Sequence, residues 1–516
     1  MADIFIAQAS AGGNTGADCA DARALSSLVS GDWVAGNNIH TCGTLTSTLT
    51  AQGSGSSGNP ITIIGEPGST FSASAWPLTS GAIDIHGRSW INIQNVSIQN
   101  TGNSTAGTQT NSTGILATGV ANVTIHDSTI FNIYVRAQGD STTGVNKDQL
   151  SCVDISGTNW RIYNNTFHDV GWCVHNFYGA SETGEVDHNE FYNMDHALAS
   201  ATSAAIAATS VSFHDNKVHD MANWDGPSPW PAGCSFHHDG VHLFSTNAGS
   251  SLGTFTAYNN KYYGDWGNCP TSFIFSEGTG GGTPARVGTV NIFNEVAVLT
   301  SSPVSNTNGW FGIFNATTAC NFYNNTVKLP GNTDLTCCFN IGSTNNTTIK
   351  NNVCTGAGGR GNFGNFTGTT TIDFNQWDTK ADGGGNCWIV QGSFTGCTFS
   401  TYKAALVTQG YSGADSHARQ DTYPLALNAD GSPQVTFGGI KWADDLGSIS
   451  SGNLANLQND TSLGATRTPL ARPATGSCSS QGSLPCWDIG AFQFASSGTG
   501  GTKTVGSVTS FKATFF

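Results

Sequence analysis

The chain has 516 residues, of which 65 are Gly and 10% are charged, with 19 Lys+Arg against 34 Asp+Glu for a formal net charge of −15. This balance excludes the basic stripe of a nucleic-acid binder and weighs against a strongly anionic ligand. No apolar run approaches the roughly 18–20 residues that cross a bilayer, and few residues suit amphipathic helices, so turns and short strands should dominate.

In chain order, residues 1–60 read as an N-terminal cap and first strands. Within it ADARALSSLVSGDW is expected to form a helix over the open end of a stack, and GNPITIIGEPG leads into the first coil. Residues 61–378 then repeat one phrase about ten times, as in TIHDSTI at 124–130, RIYNNTF at 161–167, SFHDNKV at 212–218 and NFYNNTV at 321–327. Each copy is a short β-branched or aromatic run, a polar pair, and a second run. With Asn165, Asn189, Asn216, Asn260, Asn294, Asn325, Asn352 and Asn375 in one register, the spacing varies between 23 and 44 residues. Recurring short strands with a repeated turn Asn predict an all-β fold, a parallel β-solenoid in which each Asn bonds to those above and below. The variable spacing places the extra residues in side loops. Sequons such as those at Asn164 and Asn324 belong to this ladder and are not read as glycosylation.

Residues 379–495 are expected to be an irregular region completing the helix, including a short helix at TYKAALVTQGY. Residues 496–516 form a Gly/Ser/Thr linker and tail strand. Edge addition by that strand leaves a monomer and a self-assembling form both open.

The 14 cysteines lack CxxC or Cys/His finger spacing, so no metal module is expected and Ca²⁺ is the only cofactor left open. The expected disulfides are Cys19–Cys42, Cys152–Cys173, Cys234–Cys269, Cys387–Cys397 and Cys478–Cys486. Cys320, Cys337, Cys338 and Cys354 should pair among themselves. Such pairing implies a secreted or extracellular protein. MADIFIAQAS has neither a basic start nor a long apolar stretch, so the initial Met is read as standing in for a removed leader.

The coil phrases, the Asn turns, the capping start and the C-terminal DIGAFQF resemble right-handed parallel β-helix proteins of the pectin-lyase-like superfamily over about residues 40–495. The resemblance implies a single-stranded right-handed β-helix. It leaves polysaccharide lyases, inverting glycoside hydrolases, uronate epimerases, tailspikes and non-catalytic surface proteins open. A polygalacturonase-like set of NTD, DD, GHG and RIK is absent. The central coils also lack the Arg/Lys cluster of a pectate-lyase-like site, their cations between 89 and 216 being Arg136, Lys147 and Arg161.

Aligning SCVDISG (151–157), WCVHNFYG (172–179), HALASAT (196–202), DGVHLFS (239–245) and SFIFSEG (272–278) turns Val153, Val174, Leu198, Val241 and Phe273 inward. Asp154, His175, Ala199, His242 and Ile274 then form one outward column, and Cys152, Cys173, Ala197 and Gly240 a second. Asp195 and His238 lie on neighbouring coils, with Asp239 where its strand begins. Asp239, His242, His238, Asp154, His175 and Glu277 are the catalytic candidates, with Asp148 as a further carboxylate, because His titrates near neutrality and paired carboxylates serve hydrolysis. Trp224, Trp230, Trp266 and Tyr178 are candidates to stack on sugars, and Lys147 to neutralise a uronate. The expected activity is a secreted enzyme cleaving a polysaccharide, a glycoside hydrolase first. The alternatives are a lyase or epimerase with a His base, and a non-catalytic glycan-binding or filament-forming protein.

Overall fold

The computed structural model describes residues 1–102, 112–133, 150–178, 181–202, 209–221, 238–245, 251–267, 270–276, 286–301, 309–333, 338–342, 344–357, 361–364, 366–378, 389–390, 393–394, 398–411, 416–421, 423–434, 437, 439, 442–474, 476 and 486–493.

Isoleucine-rich strands set the architecture. In Ile61–Gly65 burial alternates residue by residue, so Ile61 and Ile63 point in while Thr62 and Ile64 point out. Register carries this pattern from coil to coil: Ile39 sits on Ile63, Ile63 on Ile93, Ile93 on Ile125 and Ile125 on Ile162. The column continues through Val186, Phe213, Ala257, Ile292, Phe322 and Ile349 to Ile372. Each fully buried side chain of this kind contributes about 1.5–3 kcal/mol, and the contribution accrues locally because a coil packs only on its neighbours.

Among the described residues, three parallel ladders enclose this core. The first starts at Asp3–Ala7 and passes through Asn38–Thr41 and Ile61–Gly65 to Thr371–Asp373. The second runs from Thr44–Leu45 through Thr70–Ala73 and Ser97–Asn100 to Arg419–Asp421. The third joins the opening residues of Ser112–His126 and Leu150–Tyr163 to the ends of Thr166–Tyr178 and Glu190–Thr202. It continues through His238–Ser245 and Pro270–Ser276 to Ile389–Val390. This is the parallel β-helix that the resemblance implied. Its strands begin well before residue 61. The helix expected over ADARALSSLVSGDW does not form: the segment holds the strand Arg23–Ala24 and the 3₁₀ turns Leu25–Ser27 and Ser30–Asp32. Strand pairing of Arg23–Ala24 with Asp3–Ala7 takes the place of helical hydrogen bonds. The short helix near TYKAALVTQGY is present as Phe399–Thr408.

Between the first and second ladders the described repeats from Asn164 onward turn on two residues. One takes the left-handed conformation, as do Asn164, His188, Asp215, Asn259 and Asn324, and the next joins a buried ladder. Asn165 N–H donates to Asn189 Oδ1, Asn189 N–H to Asn216 Oδ1 and Asn216 N–H to Asn260 Oδ1, each at 2.9 Å. The expected register slips at one coil. Asn294 is the left-handed residue there, and Glu295 occupies the ladder between Asn260 and Asn325.

After Asp421 the described chain runs back along this corner. Asp444 N–H donates to Asn351 Oδ1 at 2.8 Å, Asn294 Nδ2 donates to the Asn459 carbonyl at 3.0 Å, and Gly464 N–H donates to the Asn259 carbonyl at 2.8 Å.

Disulfides join Cys19 to Cys42 and Cys338 to Cys354. Two expectations are corrected. Cys152 and Cys173 are free, buried thiols, each turned to another partner: Cys152 Sγ lies 3.6 Å from the Ile130 carbonyl and Cys173 Sγ 3.3 Å from Met194 Sδ. Cys320 is also free and buried, so the last four cysteines do not all pair among themselves. Cys486 is disulfide-bonded. Cys234, Cys269, Cys337, Cys387, Cys397 and Cys478 lie outside the described residues.

Candidate functional site

The continuous strands Thr166–Tyr178 and Glu190–Thr202 each turn a corner, beginning in the second ladder and ending in the third. At the corner the in–out alternation resets. Cys152, Cys173 and Ala197 therefore face the core, not outward as the strict period of two predicts, and join Val153, Val174 and Leu198 there. The same reset places polar residues at the start of the third ladder, where Trp172, His196 and Asp239 share one register position. Asp154, His175, Ala199 and His242 share another. A register shift between His238 and Asp239 sets Phe275, not Ile274, beside His242, while Ile274 pairs with Val241 and enters the core.

A chain of contacts follows from these positions. Asp195 Oδ2 meets His196 Nδ1 at 2.9 Å, and Asp195 Oδ1 meets His238 Nδ1 at 3.1 Å. On the far side of its ring, His196 Nε2 stands 3.3 Å from Asp239 Oδ2, and His242 Nδ1 is 3.9 Å from the same oxygen. The side chains of Asp195, His196, His238 and Asp239 are fully buried, and that of His242 is 8% exposed. Trp172 closes one side, its ring 5.6 Å from His196 and 4.9 Å from His175; Phe244 and Phe275 flank His242 at 4.8 and 5.1 Å.

Electrostatics hold this arrangement in a polar state. Burial opposes charge on His196, but Asp195 and Asp239 outweigh it and raise the imidazole to about 9. Burial also opposes charge on Asp195, yet His196 and His238 keep its carboxyl well below the usual range. Buried ionisable groups of opposite sign and adjacent position stabilise one another where either alone would be expelled.

Asp239, His238 and His242 are thus brought together from the sequence-derived set, joined by Asp195. Asp154 and His175 form their own pair at 3.3 Å, nearer solvent. Three strand steps separate Asp154 from His242, which is on the order of 14 Å. Trp266 is corrected: it is fully buried, packed edge-on against Phe273 and Trp310 at 4.7 and 5.9 Å, and cannot stack on a ligand. Its position at a strand end in YYGDWGNC resembles that of a loop aromatic, but the ring folds back into the core. Trp224, Trp230, Lys147, Asp148 and Glu277 lie outside the described residues, as does the side chain of Tyr178. His196 and Trp172 were missed. The available signal was the Asp195–His196 dipeptide one coil before HHDGVH, concealed because the alignment treated His196 only as the start of an apolar run.

No protein-family model matches the chain, and no curated protein matches it. Solved structures similar to it include a mannuronic acid specific polysaccharide family 6 lyase from human gut microbiota, at 11% identity, 73% of this chain, 80% of that chain and a TM-score of 0.40. Pectate lyase Pel9A is similar at 12% identity, 96% of each chain and a TM-score of 0.35. A GH136 lacto-N-biosidase from Eubacterium ramulus is similar at 8% identity, 76% of this chain, 67% of that chain and a TM-score of 0.37. At such identities the likeness concerns fold alone, and the site must be read from its own residues.

Asp195 engages Nδ1 of both His196 and His238 and so orients both rings.

Proposed function

We propose that the chain is a secreted enzyme that cleaves a polysaccharide by hydrolysis at the third-ladder cluster. The observation that carries the reading is the convergence of Asp195, His196, His238, Asp239 and His242 from adjoining coils into one buried, mutually bonded group. Fold stability does not need five ionisable side chains on two neighbouring strands, whereas acid–base chemistry does. His242, the member of the cluster whose side chain reaches solvent, is assigned proton donation to the leaving sugar oxygen, and His238 and Asp195 buttress the group behind it. Asp239 is assigned polarisation of the attacking water. Asp154 is too far away to be the partner carboxylate of Asp239, since inverting hydrolases hold theirs about 6.5–9.5 Å apart. The strands forming the cluster, 172–178, 190–202, 238–245 and 270–276, contain no Lys or Arg. Arg161 is held by Asp187 through two contacts of 2.7 and 2.6 Å. This scarcity of cations favours hydrolysis over elimination from a uronate. The disulfides Cys19–Cys42 and Cys338–Cys354 support an oxidising, extracellular location.

A panel of neutral and acidic polysaccharides, followed for new reducing ends and for the absorbance of unsaturated products, tests the reading. Reducing ends alone are expected. Both signals together would replace hydrolysis with elimination. Binding without cleavage of any glycan would replace the enzyme with a glycan-binding or filament-forming protein.

A further inference from the structure

Three side chains of the cluster present ligand atoms to a common point. His196, Asp239 and His242 each offer one donor atom, and these atoms all lie within 4.8 Å of one another. The separations are informative. His–carboxylate pairs elsewhere close to 2.6 Å, as at His126–Asp127, His168–Asp169 and His188–Asp187, and His196 itself meets Asp195 at 2.9 Å. On its other nitrogen the gap to Asp239 Oδ2 widens to 3.3 Å, and that from His242 Nδ1 is 3.9 Å. Other pairs at 3.3 Å, such as His40–Asp3 and His219–Glu190, reach solvent, while His196 and Asp239 are fully buried. Donors bound to one metal at about 2.0–2.2 Å in a tetrahedral shell stand roughly 3.3–3.5 Å from each other.

The surroundings match as well. Asp195 engages Nδ1 of His196 and so directs Nε2 toward Asp239, the carboxylate–imidazole arrangement that orients a metal-binding histidine. Asp195 is itself fixed by His238. The ligands come from two adjacent strands, and the rings of His196 and His242 stack at 5.3 Å. Two imidazoles and one carboxylate suit a divalent transition ion, whereas Ca²⁺ and Mg²⁺ prefer all-oxygen shells. The comparable group of Glu185, Asp187 and His214 is a poor site because the Arg161 guanidinium already holds Asp187.

We propose that His196, Asp239 and His242 bind a divalent transition metal of the zinc class, with Asp195 as the positioning residue. The inference rests on donor geometry and does not require the polysaccharide reading. In combination with that reading, Asp239 would act on water through the ion.

The full chain, stripped with a chelator, is titrated with Zn²⁺ by calorimetry and with Co²⁺ by visible absorption. One tight equivalent, not displaced by excess Ca²⁺, is expected, together with Co²⁺ bands of a nitrogen-ligated site. Asp239→Asn and His242→Gln should each weaken binding at least tenfold, and Asp195→Asn by about 10–100-fold. Asp154→Asn should leave binding unchanged. If His196 merely bridges two aspartates, the folded wild-type chain will show no saturable tight binding, which overturns the proposal. Tight binding that persists in a folded Asp239→Asn/His242→Gln variant also overturns it. Should that variant not fold, hyperfine-shifted imidazole N–H resonances from two histidines in the Co²⁺-loaded wild type decide the matter, and their absence counts against the site. Glycan cleavage is not read in any arm, so failure here is distinct from failure of the hydrolase reading.

Discussion

Glu295 stands in the buried ladder between Asn260 and Asn325. Its Oε2 accepts the Asn260 N–H at 3.0 Å and its Oε1 accepts Asn260 Nδ2 at 2.8 Å, while its own N–H donates to Asn325 Oδ1 at 3.0 Å. An asparagine in this slot also donates downward, as Asn325 Nδ2 does to the Ile292 carbonyl, and a carboxylate cannot. Burial drives the Glu295 carboxyl well above its ordinary range. Because the folded value exceeds the unfolded one, its favourable contribution is complete below about pH 4.5 and is lost as pH rises through the folded value. Glu295→Gln should therefore raise the melting temperature at pH 8 and change it little at pH 4. Equal melting shifts at both values would refute this account. The same residue shows where sequence reading stops. Both turn slots accept Asn, so the phrase NIFNEVA offers Asn294 as a plausible ladder member, and only the backbone conformation tells the left-handed slot from the buried one.

At the scale of the strand, outward columns carry the charged residues with aromatic rings, and inward columns are aliphatic and aromatic without charge. His214 shows what this stacking does: its ring lies 4.4 Å from Tyr258, nearly parallel, with Nε2 2.6 Å from Glu185 and Nδ1 2.7 Å from Asp215. Burial opposes its charge, but Asp215, Glu185 and Asp187 raise the imidazole to about 9. Being raised above its unfolded value of about 6.5, it stabilises fully below that pH, and the contribution vanishes through about pH 9. Thermal melts of His214→Gln should show a loss of up to about 3 kcal/mol at pH 6 that closes by pH 9.5; a pH-independent loss would contradict the ion-pair account. Trp266 makes the complementary point. Trp266→Ala should cost about 3–5 kcal/mol of stability by leaving a cavity, and it should melt the fold rather than selectively weaken glycan binding. The inward strand pattern was legible because β-branched residues recur with a period of two. The corners were not, because two successive inward residues such as Cys173 and Val174 break that period without any marker in composition. His196 was lost to sight for the same reason.

Across the whole molecule, a solenoid is cooperative only as far as its neighbour contacts carry, and the returning segment after Asp421 adds contacts that skip coils. Leu425, Leu427, Phe437, Trp487 and Ile489 pack with Phe293, Tyr323 and Val353 from separate coils. Its polar anchor is Arg472, which is 3% exposed. Arg472 Nη2 donates to Asn294 Oδ1 at 3.1 Å and to the carbonyls of Ala491 and Gly490 at 3.2 and 3.3 Å, and the guanidinium lies 5.2 Å over Trp487. Desolvation brings its pKa down to about 10, even with Asp460 and Asp488 nearby. Truncating the guanidinium leaves the Asn294 side-chain oxygen and the Gly490 carbonyl without this donor, while Ala491 keeps the Thr461 N–H at 2.9 Å, a loss of about 3–5 kcal/mol for groups so placed. Arg472→Ala should therefore release the returning segment before the coils melt. Limited proteolysis of the folded variant is expected to cut between residues 425 and 493 at a rate many times that of the wild type, leaving the coil body intact. A wild-type cleavage pattern, or simultaneous digestion of coils and segment, would show that the segment does not unfold on its own and that Arg472 does not anchor it. The charged and aromatic residues of this segment carry no periodic signal, so its path over the Asn corner could be read only from the folded chain.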